Sequence, residues 1–102
     1  MKNRFEKCLE SGKPVLLAFL HAARQDAVEV KYDIKKLRDK YGDKALFLMV
    51  DGSYNHELAR KYKIDTYPTW VMFEDGREVW RDSGTKEFKA IDDSVNGLLN
   101  QN

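Results

Sequence analysis

Few side chains in this sequence have the type and spacing to do chemistry. Cys8 is the only thiol, and His21 and His56 are the only imidazoles. The polar stretch placed to matter is His21-Ala22-Ala23-Arg24-Gln25-Asp26-Ala27-Val28, which follows the apolar run Val15–Leu20 and precedes a long amphipathic stretch. A strand opening through a short loop into a helix gathers free backbone N–H groups, and the helix dipole there favours anions and thiolates. This junction nevertheless carries no cysteine, serine or glycine.

A lone cysteine cannot close an internal disulfide, and one Cys with two His is too small a set for a structural zinc site. No metal and no cofactor is therefore expected. Cys8 falls at helical spacing with Phe5 and Leu9, which reads as a small core hydrophobe. Arg24 stands where the helix dipole disfavours a cation, so it either points to solvent or pairs with Asp26 or a partner's carboxylate. Asp26 suits an N-cap or first-turn position. His21 is either a half-exposed polar residue or, with Arg24, part of an anion-binding patch. His56, beside Glu57, reads as surface.

The elements that must position these residues follow from hydrophobic period. Phe5, Cys8 and Leu9 form a short helix stopped at Ser11-Gly12. Val15–Leu20 and Ala45–Val50 are apolar on both faces and read as buried strands. From Asp26 to Tyr41, Val30, Ile34, Leu37 and Tyr41 recur at helical spacing, and Gly42 ends the helix. Ser53 is the expected cap of a short helix carrying Leu58, Ala59 and Tyr62. Asp75-Gly76 is a two-residue hairpin signal between Trp70–Phe73 and Arg77–Arg81. Simple alternation then puts Trp80 on the same face as Glu78, an interface candidate if exposed. Thr85, with Glu87 near it, is the expected cap of a last helix with Phe88, Ile91, Val95, Leu98 and Leu99. The order α-β-α-β-α-β-β-α implies one α/β domain over residues 1–102. It is a three-layer α/β/α sandwich on a mixed four-stranded sheet, with parallel pairing through crossovers and an antiparallel edge from the hairpin.

Composition narrows the function. The chain has 102 residues, is 42% hydrophobic and 34% charged, and carries a net charge of +1. One core's worth of ordinary globular sequence is expected, with no basic surplus for nucleic acid or an anionic membrane. The longest apolar run is too short to span a bilayer. No signal peptide is read at the start, so a cytoplasmic setting is expected.

Several segments together resemble the thioredoxin-fold family over nearly the whole chain. Ser11-Gly12-Lys13-Pro14-Val15-Leu16-Leu17-Ala18-Phe19 is similar to the family's lead-in to its first central strand. Tyr62-Lys63-Ile64-Asp65-Thr66-Tyr67-Pro68-Thr69 resembles the segment around its cis-proline, Phe73–Glu78 its closing hairpin, and Gly84 its glycine before the last helix. The resemblance implies that Tyr67 and Pro68 face the His21–Val28 junction, where partners pair with the family's backbone as an added strand.

Aligned without gaps from Phe19 to Tyr41, the family's CxxC motif falls on Arg24-Gln25-Asp26-Ala27. Dithiol–disulfide exchange needs one thiolate to attack and a second thiol to resolve, so it is excluded here. The positions matching the family's buried aspartate and lysine are Ala18 and Phe47, and its aromatic before the motif is Ala23. The resemblance thus implies a redox-inactive protein- or peptide-binding module using His21, Arg24, Asp26, Tyr67, Pro68 and Gly84. The alternatives are thiol- or glutathione-related oxidoreductase chemistry not using CxxC, for example through Cys8, and an assembly role.

Overall fold

The computed structural model describes residues 4–100. Its elements are α1 (Arg4–Leu9), β1 (Val15–Leu20), α2 (Ala27–Tyr41), a 3-10 turn at Gly42–Lys44, β2 (Leu46–Asp51), α3 (His56–Lys61), β3 (Thr69–Glu74), β4 (Arg77–Ser83) and α4 (Phe88–Leu99). The four strands form one sheet in the order β2-β1-β3-β4.

β1 is buried along its whole length, which is why its six residues are apolar on both faces. Its even positions Leu16, Ala18 and Leu20 join Phe47, Trp70 and Met72 under α2 and α4. Its odd positions Val15, Leu17 and Phe19 join Val71 and Phe73 under α1 and α3. Cys8 packs at the edge of this second cluster. The two clusters on opposite faces make the sandwich three layers deep.

β1 and β2 are parallel, but β3 runs antiparallel to β1, with Thr69 opposite Phe19. The parallel pairing expected for β3 is not formed. The connection after β2, through the six-residue α3, rejoins the sheet at Thr69, near the end where β2 left it, and β3 runs back. This reversal sets residues 66–68 beside the end of β1.

Other expectations change for equally local reasons. β2 is not a second fully buried strand. It lies at the sheet edge, with Leu46, Leu48 and Val50 half-buried and Met49 exposed. A bulge on β4 puts Trp80 opposite Met72 and Glu78 opposite Phe73. Trp80 thus packs half-buried against the α2–α4 side, and Glu78 faces away to pair with Arg81 at 2.8 Å. The hairpin itself has Asp75 at φ 51° and Gly76 at φ 78°, the paired positive angles such a turn requires. α3 starts after Asn55 and not at Ser53, whose hydroxyl donates instead to Asp51 Oδ1 at 2.6 Å. α4 starts after Glu87, with no side-chain cap bond.

Among the described residues, no helix is long and apolar enough to cross a membrane, and no cluster of His, Cys, Asp and Glu is grouped to hold a metal ion.

Candidate functional site

The buried strand β1 ends at Leu20, and the chain turns sharply because the Arg24 N–H donates to the His21 carbonyl at 2.9 Å. The Ala23 N–H donates to His21 Nδ1 at 3.3 Å, so the imidazole braces the loop that follows it. The Ala27 N–H then reaches Arg24 O at 3.3 Å and the Val30 N–H reaches Asp26 O at 3.1 Å, which starts α2.

Asp26 occupies the N-cap position but its side chain caps nothing. Instead it receives Arg24 in a fork, Nε to Oδ1 at 3.1 Å and Nη2 to Oδ2 at 3.2 Å. The Thr85 hydroxyl donates to the same Oδ2 at 2.7 Å. The cap expected of Thr85 is thus spent across the fold, on the start of α2. Arg24 resolves its poor position at the helix start by pairing with Asp26, so the His21–Arg24 anion patch is not assembled. The Arg24 fork, then the Thr85 hydroxyl, hold the Asp26 carboxyl below the usual carboxylate range, and Asp26 in turn raises Arg24.

The facing segment comes from the start of β3. The Tyr67–Pro68 peptide is cis. The Gly84 N–H donates to Pro68 O at 2.8 Å, and Gly84 holds φ at 89°, a left-handed angle that glycine adopts freely. Thr69 Oγ1 donates to Thr66 O at 2.6 Å and lies 3.2 Å from Ser83 Oγ. The Tyr67 ring meets His21 edge-on, with centroids 5.7 Å apart. It also lies close over Gly52, where an added Cβ would collide with the Tyr67 ring. Within the described residues, neither the N–H nor the C=O of Tyr67 takes a backbone hydrogen bond.

The structure therefore brings His21, Tyr67, Pro68 and Gly84 to one end of the sheet, with Arg24, Gln25, Asp26 and Ala27 at the adjoining helix start. Gln25 is exposed and Ala27 is buried at the first turn. The cleft between Asp26, Pro68, Trp70 and Thr85 holds only about 10 Å³. That is room for one water at most, so the face suits contact with a surface or an extended chain better than enclosure of a substrate. Ala18 and Phe47, 0% and 3% exposed, lie within the apolar cluster beneath α2. Cys8, on α1, belongs to the cluster on the opposite face. Residue-by-residue reading missed Thr85 and Gly52 as supports of this face. Thr85 carried only a capping signal, and nothing in the order Val50-Asp51-Gly52-Ser53 reports that a distant ring lies on the glycine.

The Asp26 network has an acid limit. A carboxyl depressed in the fold contributes stability above its unfolded value, 3.8 for an ordinary aspartate, and loses it as pH falls through the folded value. Urea midpoints are expected to stay level from pH 7 to 5 as far as this group is concerned and then to fall with acid. Asp26→Asn should lower the neutral midpoint and flatten that acid limb. An unchanged limb would show the network carries no stability.

The family model described as Thioredoxin matches residues 1–97. Thioredoxin X, chloroplastic, of Arabidopsis thaliana is 30% identical over 94 residues, which is 90% of this chain and 52% of that protein. The chain thus spans about half the length of that curated relative. Thioredoxin-1 of Drosophila melanogaster is 29% identical over 89 residues, 85% of this chain and 83% of that protein. Among solved structures, a mutant thioredoxin from Halobacterium salinarum superposes with a TM-score of 0.89 at 20% identity, over 100% of this chain and 88% of that one. The Fasciola hepatica thioredoxin does so with a TM-score of 0.80 at 26% identity, over 90% and 89% of the two chains.

Proposed function

The chain belongs to the thioredoxin family, and from that premise we propose that it is a redox-inactive member that binds an extended protein or peptide segment. The binding face comprises His21, Arg24, Asp26, Tyr67, Pro68 and Gly84, with Arg24–Ala27 standing at the former CxxC position. One observation carries the reading: the unpaired main chain of Tyr67 lies beside the loop that ends β1. An extended segment pairing there would gain main-chain hydrogen bonds, and its side chains would read the Arg24–Asp26 pair and the His21–Tyr67 rings.

With one thiol, the chain has no intramolecular partner to resolve a mixed disulfide. Thiol chemistry at Cys8 draws no support from its setting among Phe5, Leu9 and the α1–α3 cluster. A cytoplasmic setting belongs to the same proposal, since a fold without disulfides needs no oxidising compartment.

Peptides selected by display against the full chain provide the test. Bound peptide is expected to shift the amide resonances of His21–Asp26, Tyr67 and Gly84. The paired reversal Arg24→Asp with Asp26→Arg keeps an ion pair but inverts its layout, and should weaken selected peptides about tenfold through lost charge matching. Shifts confined to other surfaces would sink the reading.

A further inference from the structure

The loop that ends β1 hangs on one imidazole. His21 Nδ1 accepts the Ala23 N–H at 3.3 Å, so that nitrogen carries no proton and the neutral ring keeps its hydrogen on Nε2. The Ala22 N–H, one residue earlier, is received by the Asp51 carboxylate. Two consecutive loop N–H groups thus find their acceptors in two side chains. Of the two, only an imidazole ordinarily changes charge between pH 5 and 8.

The groups around that ring come from three elements. Asp51 closes β2 and also accepts the Ser53 N–H at 2.9 Å and the Ser53 hydroxyl at 2.6 Å. The Ser53 hydroxyl first, then the N–H groups of Ser53 and Ala22 and the nearby His21 ring, hold its carboxyl below the usual range. From the segment before β3, Tyr67 meets the imidazole edge-on at 5.7 Å. The same phenol ring lies over Gly52, the residue after Asp51. Arg24, in the imidazole's own loop, is already committed to Asp26.

We propose that His21 is a pH-operated latch on the Tyr67 face, holding the loop while neutral and releasing it once protonated. The proton goes onto Nδ1, which then donates and can no longer accept from Ala23. Asp51 attracts the imidazolium, and a ring turned toward it competes with the Ala22 N–H for the same carboxylate. One protonation therefore loosens both loop N–H groups and takes the ring off its edge contact with Tyr67. A bond made only by the neutral form is present above the imidazole's titration and is lost as pH falls through it. Asp26, held low by Arg24 and Thr85, keeps its charge over the same window, so the start of α2 stays fixed while the loop moves. The effect on binding rests on the Tyr67-face reading above, whereas the latch itself does not.

Nuclear magnetic resonance of the full chain from pH 8 to 5 provides the test. The Ala23 amide is expected to shift and lose exchange protection along the titration of the His21 ring. It should not follow His56, the other imidazole, which is exposed on α3. His21→Asn keeps an acceptor for the N–H two residues on and does not titrate, so its Ala23 amide should stay level. A histidine-free peptide from the display selection should bind the parent chain about two- to tenfold more weakly at pH 5.5 than at pH 7.5, the span that one lost hydrogen bond gives. His21→Asn should bind it equally at the two pH values. An Ala23 amide that ignores the His21 titration, or that still moves in His21→Asn, overturns the latch. So does a peptide that shifts Tyr67 yet binds the parent chain as tightly at pH 5.5. Peptide shifts confined to other surfaces sink the binding reading instead, and the Ala23 amide alone then decides the latch.

Discussion

Ala18→Asp is expected to destabilise the protein by about 3–5 kcal/mol at pH 7, a large part of the roughly 5–15 kcal/mol that holds a small domain together. Ala18 is fully buried beside Leu16, Leu20 and Trp70, and no cation lies in that cluster. Phe47, in the same cluster, is packed against Tyr41 with ring centroids 6.1 Å apart. A carboxyl introduced there has no partner for its charge, so burial raises its pKa. The sign follows. Below about 3.9 the group is neutral in both states and the ionisation penalty vanishes. As pH rises the penalty grows, and it levels off above the raised folded value. Urea midpoints measured from pH 3 to 8 should therefore fall with increasing pH for the variant relative to the parent chain. A deficit independent of pH would mean that water or a cation reaches the site.

Introducing two thiols, Arg24→Cys with Ala27→Cys, has the second largest expected effect, this time on chemistry. The two positions flank the turn that leads into α2, with Ala27 its first residue, and a helix N-terminus lowers thiol pKa. Insulin reduction is expected to change from absent to measurable, and thiol titration after mild oxidation should find both new cysteines bridged. Turnover should stay slow, since proton transfer by a positioned side chain contributes about 10²–10⁴-fold and Ala18 and Phe47 supply none. Thiols that remain titratable after oxidation would show that residues 24–27 do not occupy the motif's geometry.

Much of the architecture was legible because it rests on period and punctuation. Val15–Leu20 could be read as a central strand because both of its faces are buried. The α2 stripe could be read because one face is, and Gly12, Gly42 and Asp75-Gly76 marked real stops and turns. What escaped depends on distances between segments. The direction of β3 follows from where the chain rejoins the sheet, beside the end of β1, and the two faces of Trp80 and Glu78 from one inserted residue on β4. The edge position of β2 could not be told from a central one, since its composition is that of a covered strand. At the candidate site, His21, Tyr67, Pro68 and Gly84 were traceable through resemblance, and the Arg24–Asp26 pair through proximity. Thr85 was not traceable, because its partner Asp26 is 59 residues away in the chain.

That bond also has a consequence for synthesis. The face is assembled from the end of β1, the start of β3 and the segment after β4, held together by Thr85 on Asp26 and Gly84 on Pro68. A nascent chain that has emerged only through α2 carries His21 and Arg24 but none of the groups opposite them. Domains generally complete folding as units during translation. Under the proposed binding function, a ribosome-bound fragment ending before residue 85 should be invisible to a partner that recognises the finished protein.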